Sequence, residues 1–352
     1  MKNNNTPAPR SSPAKTSSAL QVVTLEMVAR MAGVSPSTVS RILNGTAVVS
    51  DAKREAVDLA VAKLGFVPNP MARALAGGRT RSIGVLTQAI DSPFYGVALS
   101  GIEQELDRAG YSALYVSGHW DAKEESKCID VLRSRRVDGI IVLTGRLPDK
   151  ALRECAKALP VVVTGRSLKA PGLFSLNFDS FEGGCLATQH LLDLGHRRIV
   201  FITGVSQHPD ANERLRGYRF ALEASGIDYD PGLVVSGDFN ESSGLQAVDL
   251  LHASQQIFTA IFAANDQMAF GALLGLHRHG LRVPQDVSLI GFDDLPMATY
   301  SVPPLTSVHE SAYELGCLAA TSMLQLLNGI QPTGQVPAPR LVVRETSGPA
   351  KN

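Results

Sequence analysis

Residues 31 to 45 read MAGVSPSTVSRILNG, and the middle of that stretch, VSPSTVS, is too small and polar to build a core. Its meaning comes from the helices around it. Upstream, TLEMVARMA opens on Thr24 as a cap, Glu26 complements the helix dipole, and Leu25, Val28, Ala29 and Ala32 recur at helical spacing. Gly33 ends that helix. Ser35 then caps a second one, with Pro36 at the first position, where a missing N–H costs nothing. This helix runs to Leu43, with Val39, Ile42 and Leu43 inward and Ser37, Thr38, Ser40 and Arg41 outward. Asn44-Gly45 stops it. Ser50 caps a third helix, DAKREAVDLAVAKLG, whose apolar face is Ala56, Val57, Ala60, Val61 and Leu64.

The rest of the chain is much larger than this head. At 352 residues it is too long for one ordinary core, so two or three domains are expected. It is 44% hydrophobic and 19% charged, and no apolar run approaches the roughly 18 residues a membrane helix needs. The first stretch, MKNNNTPAPRSSPAKTSSAL, is Pro/Ser-rich and lacks the apolar centre of a secretory signal, so residues 1–22 read as a disordered arm. Cys128, Cys155, Cys185 and Cys317 lie far apart with no zinc-ligand spacing and read as buried, reduced thiols of a cytoplasmic protein. Net charge is zero, which by itself argues against a nucleic-acid partner, yet residues 1–82 hold 11 Lys and Arg against 4 Asp and Glu. That leaves 22 basic and 29 acidic residues for the remainder. A basic head on an acidic body points to an anionic partner for the head alone.

Residues 66 to 82, FVPNPMARALAGGRTRS, break the helical pattern with two prolines and a Gly-Gly pair, and read as a linker holding one short helix, NPMARAL. From Ile83 strands alternate with helices. IGVLTQ, SALYVSG, GIIVLTG, VVVTG, RIVFITG, LVVSGD, AIFAAN and VSLIGFDD are apolar, β-branched runs, mostly ending in Gly, Asp, Asn or Thr. That is a parallel α/β pattern with ligands expected at the strand carboxyl ends, and about eight strands suit two similar lobes.

Taken in order, TLEMVARMAGVSPSTVSRILNG, GFVPNPMARALAGGRTRSIGVL, DSPFYG, RVDGIIV, LLDLGHRRIVFITG, ERLRGYRFAL, AANDQMAFGAL, VPQDVSLIGFDDLPMATYSVPPLTSV and LVVRETS resemble the LacI/GalR family of bacterial transcription regulators. The resemblance implies an all-α helix-turn-helix head over residues 23–66, a hinge helix and linker over 67–82, and a two-lobed α/β core like the periplasmic binding proteins over 83–347, followed by a tail, 348–352. The chain would cross between the lobes three times. The first lobe would hold about 83–178 and 310–338, the second about 179–309 and 339–347.

A recognition helix enters the major groove with its first turns, so residues reaching base edges are small or polar and share a face. Pro36, Ser37, Ser40 and Arg41 meet that demand, and Arg41 can pair bidentately with a guanine edge. By resemblance, Thr24, Ser35 and Thr38 touch phosphates, and Leu75, with Asn69, Ala72 and Arg73 beside it, wedges into the minor groove. Family members carry larger polar or aromatic residues where this chain has Pro36 and Ser37. Two heads require a homodimer on a pseudo-palindromic double-stranded operator; no leucine-heptad tail for tetramers follows Ser347.

For the cleft, the resemblance places Arg214, Asn265, Asp293 and Phe239 on the second lobe's wall and Asp91, Phe94 and Tyr95 on the first's. A carboxylate, an amide, an arginine and aromatic faces suit a sugar's hydroxyls and C–H surface. A helix-cap role for Asn265 and a turn role for Asp293 stay open, while Asp266 and Asp294 read as structural. No catalytic motif appears: G-x-S-x-G, Walker and G-x-G-x-x-G patterns are missing, His277 and His279 fall on different helix faces, and His196 sits in a loop. The chain thus reads as a repressor of carbohydrate uptake or catabolism genes relieved by a small sugar, with no enzyme activity, cofactor, metal or membrane partner. A co-repressing ligand or a non-sugar effector stands as the alternative.

Overall fold

A computed structural model describes residues 23–43, 48–67, 78–205 and 208–351. The arm, the Asn44-Gly45 stop and the hinge residues Asn69, Ala72, Arg73 and Leu75 lie outside the described residues. The chain divides into two units, residues 1–80 and 81–352.

The first unit holds α1 (Leu25–Ala32), α2 (Pro36–Leu43) and α3 (Asp51–Leu64). Thr24 caps α1 by accepting the Met27 N–H at 3.4 Å, and Gly33 takes a left-handed φ of 65°, which frees the chain to turn into α2. Val28, Ala29, Val39, Ile42, Val57, Ala60 and Phe66 form its small core. Ser50 differs from its sequence reading: its backbone is extended as a cap requires, but its hydroxyl makes no capping bond, so Asp51 and the dipole carry that end.

The second unit opens with β1 (Ser82–Thr87), α4 (Pro93–Arg108), β2 (Ser112–Ser117), α5 (Ala122–Ser134), β3 (Gly139–Val142), α6 (Asp149–Ala156), β4 (Val161–Thr164) and β5 (Leu173–Leu176). These strands make an all-parallel sheet in the order β2-β1-β3-β4-β5. The chain continues through α7 (Ser180–Asp193), β6 (Ile199–Ile202), α8 (Pro209–Ala224), β7 (Val234–Val235), α9 (Glu241–Ala253), β8 (Ala260–Ala263), α10 (Asp266–Arg278), β9 (Ser288–Phe292), β10 (Thr306–His309), α11 (Ala312–Leu327) and β11 (Arg340–Val342). The second sheet runs β11-β10-β9-β8-β6-β7, parallel except for β11. Helix α11 returns to pack on α4, β3 and β4 of the first sheet before β11 rejoins the second, so three strands of chain pass between the lobes.

Each lobe has its own core. Ile83, Val85, Ile141 and Val162 meet Leu315, Ala319 and Met323 of α11 in the first. In the second, Phe201 stacks on Tyr218 at 5.2 Å and meets Phe262 edge-on at 5.0 Å, while the Tyr218 hydroxyl donates to the Ile199 carbonyl at 2.8 Å. Burying each such ring contributes roughly 1.5–3 kcal/mol. Three helix pairs cross at paired glycines: a Cβ on Gly316 would strike Ala98 O, on Gly184 Arg214 O, and on Gly271 Glu241 O. Backbones therefore meet directly, which fixes where α8 and its side chains sit.

Among the described residues the sheets contain three strands, β5, β10 and β11, beyond the eight read from sequence. Each is three or four residues long and lacks a continuous apolar run. LVVSGD in turn shrinks to the two residues of β7. The cysteine reading needs a correction: all four are free, but only Cys155 is buried, and the other three are half-covered at helix surfaces.

Candidate functional site

On the head, the start of α2 is a hydroxyl cluster. The Ser35 Oγ accepts the Thr38 N–H at 3.2 Å and lies 2.9 Å from Ser37 Oγ and 2.8 Å from Thr38 Oγ1. Pro36, Ser37 and Arg41 are exposed, and Ser40 and Thr38 half-buried. The Arg41 Nε donates to the Ser37 carbonyl at 3.4 Å, which holds its stem along the helix.

In the second unit, strand carboxyl ends from both sheets converge on a cavity of about 420 Å³. Asp91, Phe94, Tyr95, Arg214, Phe239, Asn265 and Asp293 all line it. So do Trp120, Thr144, His208, Asp210 and Gln267, which sequence reasoning passed over.

Arg214 is the hub. It projects from α8 and is almost fully buried; Nη1 donates to the Ala264 carbonyl at 2.5 Å, and its guanidinium carbon lies 3.7 Å over the Phe292 ring. Nη2 stands 3.5 Å from both Asp293 Oδ1 and Glu310 Oε2. Those separations are charge contacts, too long for strong hydrogen bonds. Among the described residues, Arg214 Nε and both Glu310 oxygens have no hydrogen-bond partner. Burial pushes the Asp293 carboxyl up to about 7 against the pull of Arg214, and Glu310 up to about 8 for the same reason. Half-buried Asp210 is raised too.

Asn265 is a helix cap that also lines the cavity. Its Oδ1 accepts the Met268 N–H at 2.9 Å as the cap of α10, and its Nδ2 donates to the Phe239 carbonyl at 2.9 Å. Asp293 sits in a left-handed turn, φ 98°, and still points at Arg214. Its neighbour turns away: Asp294 binds Arg344 at 2.6 Å and His309 at 2.8 Å. Asp266 is buried, with Oδ1 accepting from the Ser307 hydroxyl at 2.6 Å and Oδ2 from the Leu295 N–H at 2.7 Å, and so pins that turn. His196 is likewise structural, its two ring nitrogens meeting Thr259 at 2.9 Å and Ser288 at 3.0 Å.

Aromatic rings cross the cavity. Phe94 meets Tyr95 at 5.4 Å, Tyr95 lies 6.4 Å from Trp120, Trp120 4.8 Å from His208, and His208 5.1 Å from Phe239. Gln88 sets this wall from behind: its Oε1 accepts the Trp120 N–H at 2.9 Å and its Nε2 donates to the Thr144 carbonyl at 3.3 Å. His119 and Trp120 both hold positive φ, 52° and 56°. Burial drives the His208 imidazole down to about 3, with Arg214 adding to the effect, so it is neutral at physiological pH.

A compact helix-turn-helix head and a two-lobed α/β core with a polar, aromatic-walled cleft define a ligand-responsive DNA-binding regulator. The chain belongs to the LacI family. Residues 24–69 match the model for bacterial regulatory proteins of the lacI family, and residues 188–347 match a periplasmic binding protein-like domain. It is 37% identical to the ribose operon repressor of Escherichia coli strain K12, over 89% of this chain and 95% of that one. It is 32% identical to the transcriptional repressor PurR of Haemophilus influenzae, over 92% and 98%. A crystal structure of the lac repressor dimer bound to operator and the anti-inducer ONPF superposes with a TM-score of 0.85 at 31% identity, covering 93% of this chain and all of that one. Among the described residues no helix is long and apolar enough to cross a membrane.

Proposed function

We propose that this regulator is a cytoplasmic, non-enzymatic repressor of carbohydrate uptake or catabolism genes, released from its operator by a small sugar. The observation that carries the reading is the 420 Å³ cleft with buried Arg214 at its floor and aromatic rings on its walls. Arg214, Asp293, Asn265 and Asp91 supply donors and acceptors for ring hydroxyls, and Phe94, Tyr95 and Phe239 supply apolar faces. The likeness to a ribose operon repressor supports a sugar over other effectors. In the head, Pro36, Ser37, Ser40 and Arg41 face base edges and Thr24, Ser35 and Thr38 face phosphates, with Asn69, Ala72, Arg73 and Leu75 assigned to the minor groove by family likeness. The likeness to an operator-bound lac repressor dimer supports a homodimer with one head on each half-site.

Coupling is a population shift, in which a sugar that binds one lobe arrangement better moves the dimer away from its operator-binding state. The test measures operator affinity, on DNA selected from a random pool, with and without a sugar panel. A hit should weaken operator binding, and Arg214→Ala should abolish that response while leaving operator affinity within a few-fold. A sugar that tightens binding would instead make it a co-repressor, and an unaltered response in Arg214→Ala would remove the cleft from the mechanism.

A further inference from the structure

The cleft has a closed side and a mouth, and the order of the strands tells them apart. Each sheet has one edge beside the crossovers, β5 in the first and β10 with β11 in the second, and one edge far from them, β2 and β7. Toward the crossovers the cavity ends on Leu176, Phe178 and Leu315. Trp120 follows β2, and His208 and Phe239 follow β6 and β7. Their ring contacts therefore lie on the far side, at the mouth.

Both halves of that contact are firmly mounted. Gln88, 1% exposed, holds the Trp120 loop at three points: its carbonyl accepts from Ser117 Oγ at 3.0 Å and from the His119 N–H at 3.2 Å, and its Oε1 accepts the Trp120 N–H. Asp121 then caps α5, accepting the Lys123 and Glu124 N–H groups at 2.8 and 3.0 Å. On the other lobe His208 packs against both Trp120 and Phe239, and Phe239 lies so close to Gly204 that a Cβ there would strike its ring. With centroids 4.8 Å apart, the indole and imidazole touch, and no sugar ring fits between them. The cavity behind them, about 420 Å³, is near the low end of the roughly 300–1,000 Å³ usual for small-molecule sites.

We propose that Trp120 and His208 form a size gate at the mouth of the cleft, so that the effector is a monosaccharide taken in whole and a sugar carrying a second ring is excluded. This rests on the reading of the cleft as a sugar site. A second ring would have to emerge where the two side chains meet, and admitting it means parting them and pulling the Trp120 loop off Gln88. One methylene too many in a pocket already costs on the order of 10- to 200-fold, so a ring-extended form should bind at least about 100-fold more weakly than its parent. Trp120→Ala opens the mouth and should narrow that gap about tenfold or more.

The experiment uses the full-length protein and titration calorimetry with glucose, galactose and ribose. Each is set beside forms that carry a second ring: cellobiose, galactobiose, and, for ribose, uridine and a benzyl ether. The expected result is a monosaccharide that binds, extended forms that do not compete, a narrowed gap in Trp120→Ala, and most of the wild-type gap kept in Trp120→Phe, which leaves a ring at the mouth. An extended form binding wild type as tightly as its parent would overturn the proposal while leaving the cleft as the sugar site. A residue that only stacks on the sugar would weaken both forms alike, so an unchanged ratio in folded Trp120→Ala would remove Trp120 from the role. The wild-type comparison needs no variant to fold. If none of these sugars binds, the sugar reading itself fails, and the gate with it.

Discussion

Trp120 and His208 face each other across the cleft, one from each lobe, with ring centroids 4.8 Å apart and planes at 60°. Trp120 is the chain's one tryptophan. Its backbone is held left-handed by the Gln88 side chain, which stores a small strain at the ligand wall. Any change in lobe separation or occupancy alters the surroundings of that indole. Intrinsic fluorescence should therefore shift on saturation with the effector, and Trp120→Phe should silence the signal while keeping operator binding. Calorimetric binding without an emission change would show that the ligand sits elsewhere.

The carboxyl cluster predicts how stability depends on pH. Asp293 and Glu310 keep their protons up to about 7 and about 8 when folded, whereas unfolded carboxyls release theirs near pH 4. The folded protein thus binds more protons than the unfolded chain across that interval, so stability falls as pH rises through it. Below about pH 6.5 histidines oppose this, because burial lowers His208, His190 and His196 and the unfolded chain then binds the extra protons. The interval from about pH 6.5 to 8 isolates the carboxyls. The melting temperature should drop across it by at least a few degrees, since each tenfold difference in proton affinity between folded and unfolded chain is worth about 1.4 kcal/mol, and each kcal/mol about 2 to 4 °C. Glu310→Gln should flatten the slope; a melting temperature that climbs in wild type would refute the assignment.

The glycine crossings predict a different loss. Adding a methyl at Gly316 or Gly271 drives it into a carbonyl oxygen of the facing helix, with no flexible side chain to yield. Gly316→Ala should lower stability by about 1–3 kcal/mol through forced separation of α4 and α11. A change within about 0.5 kcal/mol, typical of a surface position, would mean the helices part freely.

Much of this architecture is legible along the chain because buried parallel strands are continuous apolar runs whose ends announce themselves. Seven cleft residues could be named from such ends and from family likeness, and all seven line the cavity. What stayed hidden depends on tertiary context. Glu310 follows β10, a four-residue strand without an apolar run, and nothing local marks its carboxyl as buried against a residue nearly a hundred positions earlier. Trp120 and His208 sit in loops and gain meaning only from each other. Asn265 shows the converse: the cap was readable, but its second bond to Phe239 was not.

The opening stretch carries the last prediction. VSPSTVS spends its hydroxyls partly on itself, with Ser35 bonded to Ser37 and Thr38. Val39 anchors α2 in the head's core, and Pro36 and Ser37 are short. Discrimination by this helix should then fall mainly on Arg41, exposed on the same face. A bidentate contact to a guanine is worth about 1–3 kcal/mol of discrimination, so Arg41→Ala should weaken operator binding about 10- to 100-fold and non-specific binding far less. The check is paired titration of operator and scrambled duplex at one salt concentration. Equal losses on both would make Arg41 a phosphate contact and shift base reading to other residues of the head.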